Sequence, residues 1–255
     1  MKFDGGVQLI AVPGLPEILP GDDLAGLILH AAVEAGCGVQ AGDVAVLAQK
    51  IVSKAQGRRV ALESVTPSAR AHELAASCGK DPRLVELVLS ESTEVVRCVP
   101  GVLIVRHRLG FIVANAAIDQ SNVEGGDAHA LLLPVDPDGS AAVISDALSR
   151  AADGPVGVVI NDSFGRPWRR GTCGVAIGCA RVESLADLRG RPDRFGRTLR
   201  STEVAVADEI AAAASLVMGQ SDEGLPVVIV RGLAPFSRAL PASSLLRQET
   251  ENLFR

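Results

Sequence analysis

Apolar positions along the chain follow two rhythms, one of helical spacing and one of short unbroken runs. Helical spacing governs residues 24–35, which Asp22 or Asp23 can cap and which Gly36 and Gly38 stop. It returns over 67–77 and 82–90, where Thr66 and Asp81 each set a capping side chain before a proline suited to the first helical position. Further helices are predicted over 140–151 and over 202–218, an Ala-rich stretch carrying Asp208 and Glu209. The unbroken runs predict buried strands over 43–48, 131–133, 156–160 and 227–230. Residues 94–118 read as two strands around a turn near 106–110. Pro13, Pro16 and Pro20 stiffen the opening segment into a loop. Helices and strands mix without a strict βαβ rhythm, which predicts an α+β fold. With no repeat or long linker, residues 1–255 form a single domain, in one or two lobes.

Composition narrows the classes. Of the 255 residues 47% are hydrophobic and 22% charged, with a mean hydropathy of +0.27, as in a globular chain. Six Phe, one Trp and no Tyr leave the core to Ala, Val, Leu and Ile and exclude a ring-lined platform for single-stranded nucleic acid. A net charge of −5 argues against a general polyanion binder, so no nucleic-acid partner is expected and any phosphate must be held locally. No run of about 18 apolar residues indicates a membrane span, and the first residues lack the apolar stretch of a signal peptide. Cys37, Cys78, Cys98, Cys173 and Cys179 form no C-x-x-C pair and read as reduced cytoplasmic thiols, mostly small core residues.

Several chemistries are missing. The chain has no P-loop, no H-E-x-x-H and no G-x-S-x-G elbow. Its four histidines, His30, His72, His107 and His129, are scattered, and Gly36–Ala41 is a helix-stop loop rather than a dinucleotide fingerprint. What remains are acidic residues at strand ends beside glycines, lysines and arginines.

Four pieces carry candidate chemistry. Ala114-Asn-Ala-Ala-Ile-Asp119-Gln-Ser-Asn122 ends an apolar strand in oxygen donors, although an Asx turn explains it equally. Asn161-Asp162-Ser163-Phe-Gly-Arg166-Pro-Trp168-Arg169-Arg170 runs a buried strand into a carboxylate, a hydroxyl and an arginine-rich loop. Strand-end carboxylates with hydroxyl or amide neighbours are the hard oxygen ligands that Mg²⁺ or Mn²⁺ prefers. Arg166, Arg169 and Arg170 could clamp phosphate or carboxylate, against the blander reading of a solvated loop. Lys50 and Lys54 face one way if a helical turn forms, and otherwise are a surface pair. The segment 216–224 is a helix end followed by a polar glycine loop, a common helix stop.

Together with Leu15-Pro-Glu-Ile18, Pro20-Gly-Asp-Asp23 and Gly174-Val-Ala-Ile-Gly178, these strings resemble the coenzyme F420:L-glutamate ligases, also called γ-glutamyl ligases. They are similar, too, to the N-terminal ligase half of an actinobacterial fusion enzyme whose C-terminal half is nitroreductase-like. No such second domain is expected here. The match runs in order along nearly the whole chain, and Asp162–Trp168 is its most specific string. The resemblance implies a distinctive mixed α/β homodimer that joins L-glutamate to the deazaflavin F420 precursor, converting GTP to GDP and phosphate. It implies Asp119, Asp162, Ser163 and Gln220 as ligands for Mg²⁺ or Mn²⁺, with two ions expected and K⁺ as a further candidate. It implies a GTP site of Leu15, Pro16, Glu17, Ile18, Gln49, Lys50, Lys54 and Asn122 with Ser215, Leu216, Val217, Met218, Gly219, Gln220, Ser221 and Asp222. The chain departs from the family pattern at Gln49, Leu109 and Ala117, which bears on nucleotide details and on how many glutamates are added.

Amide formation at neutral pH needs a carboxylate oxygen turned into a leaving group, and phosphoryl transfer does so by making an acyl phosphate. Lys50 and Lys54 would neutralise phosphates, and no covalent nucleophile is required. The arginines would meet the acceptor, and Phe111, Phe164 and Trp168 would wall the site. Two other classes stay open: a non-catalytic nucleotide or deazaflavin carrier, and a metal-dependent nucleotide phosphohydrolase.

Overall fold

The structure is a computed structural model that describes residues 5–121, 126–236 and 238–251. In chain order its main elements begin with β1 (Gln8–Ala11), α1 (Leu24–Glu34), β2 (Val44–Ala48), α2 (Gln49–Ala55) and β3 (Arg59–Ala61). There follow α3 (Ala69–Cys78), α4 (Pro82–Ser90), β4 (Ser92–Val99), β5 (Val102–His107), β6 (Ile112–Ala114) and β7 (His129–Leu131). The last part holds α5 (Pro137–Ala151), β8 (Gly157–Arg166), β9 (Arg169–Ala180), β10 (Ala186–Asp187), β11 (Glu203–Val204), α6 (Val206–Met218) and β12 (Val227–Arg231).

The central sheet has the order β1-β12-β2-β8-β9, with β2 and β8 parallel and the other pairs antiparallel. Both faces are covered, which is why its strands read as unbroken apolar runs. Alternate residues serve opposite cores. Leu47, Val158, Ile160 and Ile229 face α1 and α5, while Val46, Val159 and Val228 face α6. A second sheet, β4-β5-β6, packs with α3 and α4 around Leu74, Val85, Val88, Leu103 and Val105. The mixed architecture is the α+β arrangement predicted from the sequence. Aliphatic side chains dominate all cores, as the aromatic count requires.

Local signals set most boundaries. Asp81 caps α4 by accepting from Arg83 N at 2.8 Å, and Pro82 opens the helix. Four expectations are corrected. The carboxylates of Asp22 and Asp23 do not cap α1; Asp22 Oδ2 instead accepts from Leu19 N. Helix α3 is capped by Ser68, not Thr66, with Ala71 N donating to Ser68 Oγ at 3.2 Å. Residues 94–118 hold three strands, because Gly101, at φ 82°, adds a tight turn between β4 and β5. Strand β8 does not end at Ile160: it runs to Arg166 and returns as β9, so the arginine-rich segment is a β-hairpin. All five cysteines are free thiols; Cys78 and Cys179 are buried and the others half-buried. Among the described residues no helix is long and apolar enough to cross a membrane.

Candidate functional site

The parallel pairing of β2 with β8 ends at Ala48 beside Asn161, at one edge of the sheet. From Ala48 the backbone turns directly into α2, which carries Gln49, Lys50 and Lys54; from Asn161 it continues through Asp162 and Ser163. A cleft of about 820 Å³ opens at this edge. Its lining comes from residues 15–18, from Ala48 through Ile51 with Lys54, from 161–163, and from 218–226.

Asp119 reaches the site by an unusual route. Residues Asn115, Ala116 and Ala117 form a turn with φ values of 52°, 52° and 53°, in the left-handed region that non-glycine residues seldom occupy. Beyond the turn, Asp119 is fixed by a two-way backbone bridge with Leu131, at 3.0 and 2.8 Å. It is therefore not simply the end of an apolar strand. Its carboxylate Oδ2 accepts from Gln49 Nε2 at 3.3 Å and lies 3.3 Å from Lys50 Nζ. Lys50 Nζ also donates to Ser121, to Oγ at 3.0 Å and to O at 3.1 Å.

Burial first, and then the charge of Asp119, push the Asp162 carboxyl up to about 7, against the opposing pull of the Ser163 N–H and Lys50. Next along the strand, Ser163 Oγ donates to Gln220 Oε1 at 2.7 Å. Asn161 Nδ2 donates to Ser215 Oγ at 3.0 Å, which ties β8 to α6, while Asn161 Oδ1 is buried without a partner among the described residues. At the opposite wall Lys54 Nζ pairs with Glu17 Oε1 at 2.6 Å.

Two carboxylates close enough that the charge of Asp119 raises the proton affinity of Asp162, beside a hydroxyl and an amide oxygen, suit a hard divalent cation. The described residues contain no cluster of three His, Cys, Asp or Glu, so a metal here would take the mixed oxygen set of Asp119, Asp162, Ser163 and Gln220 rather than a zinc-type cage.

Most of the residues singled out in the sequence converge here. Leu15, Pro16, Glu17, Ile18, Gln49, Lys50, Lys54, Met218, Gly219, Gln220, Ser221 and Asp222 line the cleft, with Asp162 and Ser163. Asn122 lies outside the described residues. Ser215, Leu216 and Val217 do not line it: on α6, Ser215 supports Asn161, Val217 packs against the core beneath the helix, and Leu216 faces solvent. The three arginines stand apart from it on the β8–β9 hairpin, where Arg166 donates to the backbone of Arg170 and Gly171. The rings also differ from expectation. Phe111 and Phe164 meet edge to face at 5.6 Å within the core, and Trp168 is 84% exposed at the hairpin tip. Leu225 and Pro226 were missed, and Ser53, Ser121, Glu223 and Gly224 belonged to the strings without being given a role. Only Ser53 carried a usable signal, its four-residue spacing from Gln49.

Fold and cleft together define an α+β protein with a carboxylate-and-lysine cleft where the parallel pairing of β2 with β8 ends. A family model described as F420-0:Gamma-glutamyl ligase matches residues 14–232. The chain belongs to that family, whose members are ligases. It is 49% identical over 227 residues to the coenzyme F420:L-glutamate ligase of Methanothermobacter thermautotrophicus, covering 89% of each chain. It is 42% identical to that of Methanopyrus kandleri, over 98% of this chain and 100% of the relative. With that of Archaeoglobus fulgidus it shares 43% identity over 98% and 96%.

Proposed function

We propose that this chain joins L-glutamate to the deazaflavin F420 precursor, with GTP as the phosphoryl donor. The observation that carries the reading is the meeting of Asp119, Asp162, Lys50 and Lys54 at one sheet edge, in a chain of this family. The acceptor's carboxylate oxygen attacks the γ-phosphorus of GTP; an acyl phosphate forms and GDP leaves. The amine of L-glutamate then attacks the acyl carbon, losing a proton, and inorganic phosphate leaves with the former carboxylate oxygen. Both steps crowd negative charge, so fixed cations and a preorganised polar floor lower the barrier.

In this reading Lys50 and Lys54 neutralise the phosphates, and residues 15–18 and 218–222 hold the nucleotide. Asp119, Asp162, Ser163 and Gln220 would hold Mg²⁺ or Mn²⁺. A divalent ion there supplies charge neutralisation to the phosphate oxygens. Arg166, Arg169 and Arg170 reach the acceptor only if the hairpin or a second subunit brings them to it, so they are the least supported members of the site. The enzyme works as a cytoplasmic homodimer with two divalent ions and with K⁺.

The test incubates the protein with non-glutamylated coenzyme, L-glutamate, Mg²⁺ or Mn²⁺ and K⁺, in parallel with GTP and ATP. Mass spectrometry should find the acceptor heavier by one or more glutamyl residues, with GTP the effective donor. No mass shift with folded protein would overturn the ligase reading. Phosphate release independent of glutamate would replace it with a phosphohydrolase, and ligand binding without phosphate release with a carrier.

A further inference from the structure

Gln49 opens α2 with its side chain almost wholly inside the protein, at 1% exposure. A buried amide needs partners at both ends. Ser53 Oγ donates to Gln49 Oε1 at 2.8 Å, and Gln49 Nε2 donates to Asp119 Oδ2 at 3.3 Å. Ser53 is itself fully buried, one helical turn further along the same face. Asp119, which can only accept, selects the orientation of the amide: the amino end must face the carboxylate, and Oε1 is then held by the Ser53 hydroxyl. Lys50 Nζ reaches the same oxygen, Oδ2, at 3.3 Å. Among the described residues the other oxygen, Oδ1, has only the long 3.5 Å contact from Ser121 Oγ. A leucine would fill this volume without the penalty of burying an amide. The amide is explained by its hold on a carboxylate that is itself 30% exposed.

We propose that Gln49 is a positioning residue for Asp119, locked by Ser53, and that it influences the nucleotide only through that carboxylate. This rests on the reading of Asp119 as an oxygen ligand for a divalent ion. With Oδ2 tethered from α2, carboxylate rotation is restrained before the ion arrives, and Oδ1 is the oxygen left for it. Outer residues that orient ligands in this way commonly change metal affinity without touching the metal. Gln49 borders the cleft, but at 1% exposure it presents almost no surface of its own to a nucleotide there.

The experiment measures Mn²⁺ binding to the metal-free full chain without nucleotide, by electron paramagnetic resonance of the free ion. Wild type, Gln49→Leu, Ser53→Ala and the double variant are compared. Gln49→Leu should raise Kd about 10- to 100-fold, with a smaller rise in Ser53→Ala. The double variant should bind no more weakly than Gln49→Leu alone, because both changes cut one chain of bonds. At saturating Mn²⁺ the KM for GTP of Gln49→Leu should stay within about twofold of wild type. Wild-type binding with an unchanged Kd in Gln49→Leu would overturn the proposal and leave the metal site standing. Failure of wild type to bind Mn²⁺ would overturn both. Additive losses in the double variant would mark two independent packing residues, and a raised KM for GTP would mark a direct nucleotide contact; either overturns the relay. If Gln49→Leu fails to fold, Gln49→Met, which keeps the unbranched shape, is held to the same outcomes.

Discussion

Asp162 is held against the charge of Asp119: burial and then that charge raise its carboxyl to about 7, from 3.8 in an open chain. The metal-free fold therefore binds a proton that the unfolded chain has already released over that interval. Stability from this group is complete below about pH 4 and is lost as pH rises toward 7. Asp162→Asn has no such proton, so the stability difference between wild type and variant should slope across that window in denaturant titrations of metal-free protein. A flat difference would remove the charge coupling. The same variant should stay folded and lose metal-dependent GTP turnover. Near-normal turnover would remove Asp162 from the metal site.

The left-handed turn before Asp119 is a second source of strain. A non-glycine residue in that region costs roughly 1–2 kcal/mol, and three occur in succession at Asn115, Ala116 and Ala117. Ala117 is only partly buried, so removing its methyl group forfeits little packing. Ala117→Gly should raise the unfolding free energy by about 0.5–1 kcal/mol. Ala116→Gly should gain less, because Ala116 is fully buried in the second core and its methyl is lost from there. Chemical denaturation measures both. No gain, or a loss, in Ala117→Gly would mean that the turn is not strained as its angles imply.

How much of this was legible in the sequence depends on where the determining contact lies. Helix α4 was readable to the residue because Asp81 and Pro82 decide its start locally. Strand β8 was cut short at Ile160, since Asn161, Asp162 and Ser163 have the composition of a turn. They are extended because β9 pairs with them, Asp162 with Val175 and Ser163 with Gly174, and no local pattern announces that pairing. The two aspartates stood out as carboxylates beyond apolar runs. Their approach did not, because it depends on the parallel register of β2 with β8 and on backbone angles that alanine rarely adopts. The rings misled for a simpler reason. Phe164 shares the Asp162 motif, but in a chain so poor in aromatics it pairs with Phe111 to fill the core.

Gly174 links packing to the cleft. A Cβ at this position would overlap Ser215 Oγ and Ala211 O, because α6 lies directly on β9 there. Gly174→Ala should push α6 away and break the bond from Asn161 Nδ2 to Ser215 Oγ. Overpacking of this kind typically costs 1–3 kcal/mol, so a Tm lowered by about 3–8 °C is expected. Activity should fall further than stability, since α6 ends where Gln220 begins its contact with Ser163. Gly165→Ala, on the same hairpin with open space around it, is the control and should change the Tm little.

Glu91 fastens the smaller sheet to the rest of the fold. Burial raises its carboxyl, but His107, whose Nε2 lies 3.5 Å away, and hydrogen bonds from Arg58 and Arg108 outweigh that and bring it down to about 2. Arg58 also donates to Leu133 O at 2.9 Å, and Arg108 to Val135 O at 3.1 Å. A depressed carboxyl contributes stability that is complete above its unfolded value of 4.5 and is lost as pH falls toward 2. Glu91→Gln should therefore destabilise the protein by on the order of 2 kcal/mol at neutral pH, the arginines being partly solvated. The gap to wild type should close between about pH 4.5 and 2. A gap independent of pH would assign the loss to packing rather than to charge.

Lys54 meets its first anion within the protein. Its ammonium lies 2.6 Å from Glu17 Oε1, while the Glu17 side chain is 64% exposed. An ion pair with so open a partner contributes about 0–1 kcal/mol to folding, so Glu17→Gln should leave the unfolding free energy nearly unchanged. In the proposed reaction a nucleotide phosphate must take the place of that carboxylate on Lys54. Removing the competing charge should lower the KM for GTP about two- to fivefold, the equivalent of the same small energy. Added salt should narrow the difference, because it screens the exposed carboxylate more than a phosphate seated in the cleft. Steady-state kinetics at two ionic strengths measures both effects. A KM that rises in Glu17→Gln would show that Glu17 binds the nucleotide itself, and that its pairing with Lys54 positions the carboxylate for that contact instead of competing with it.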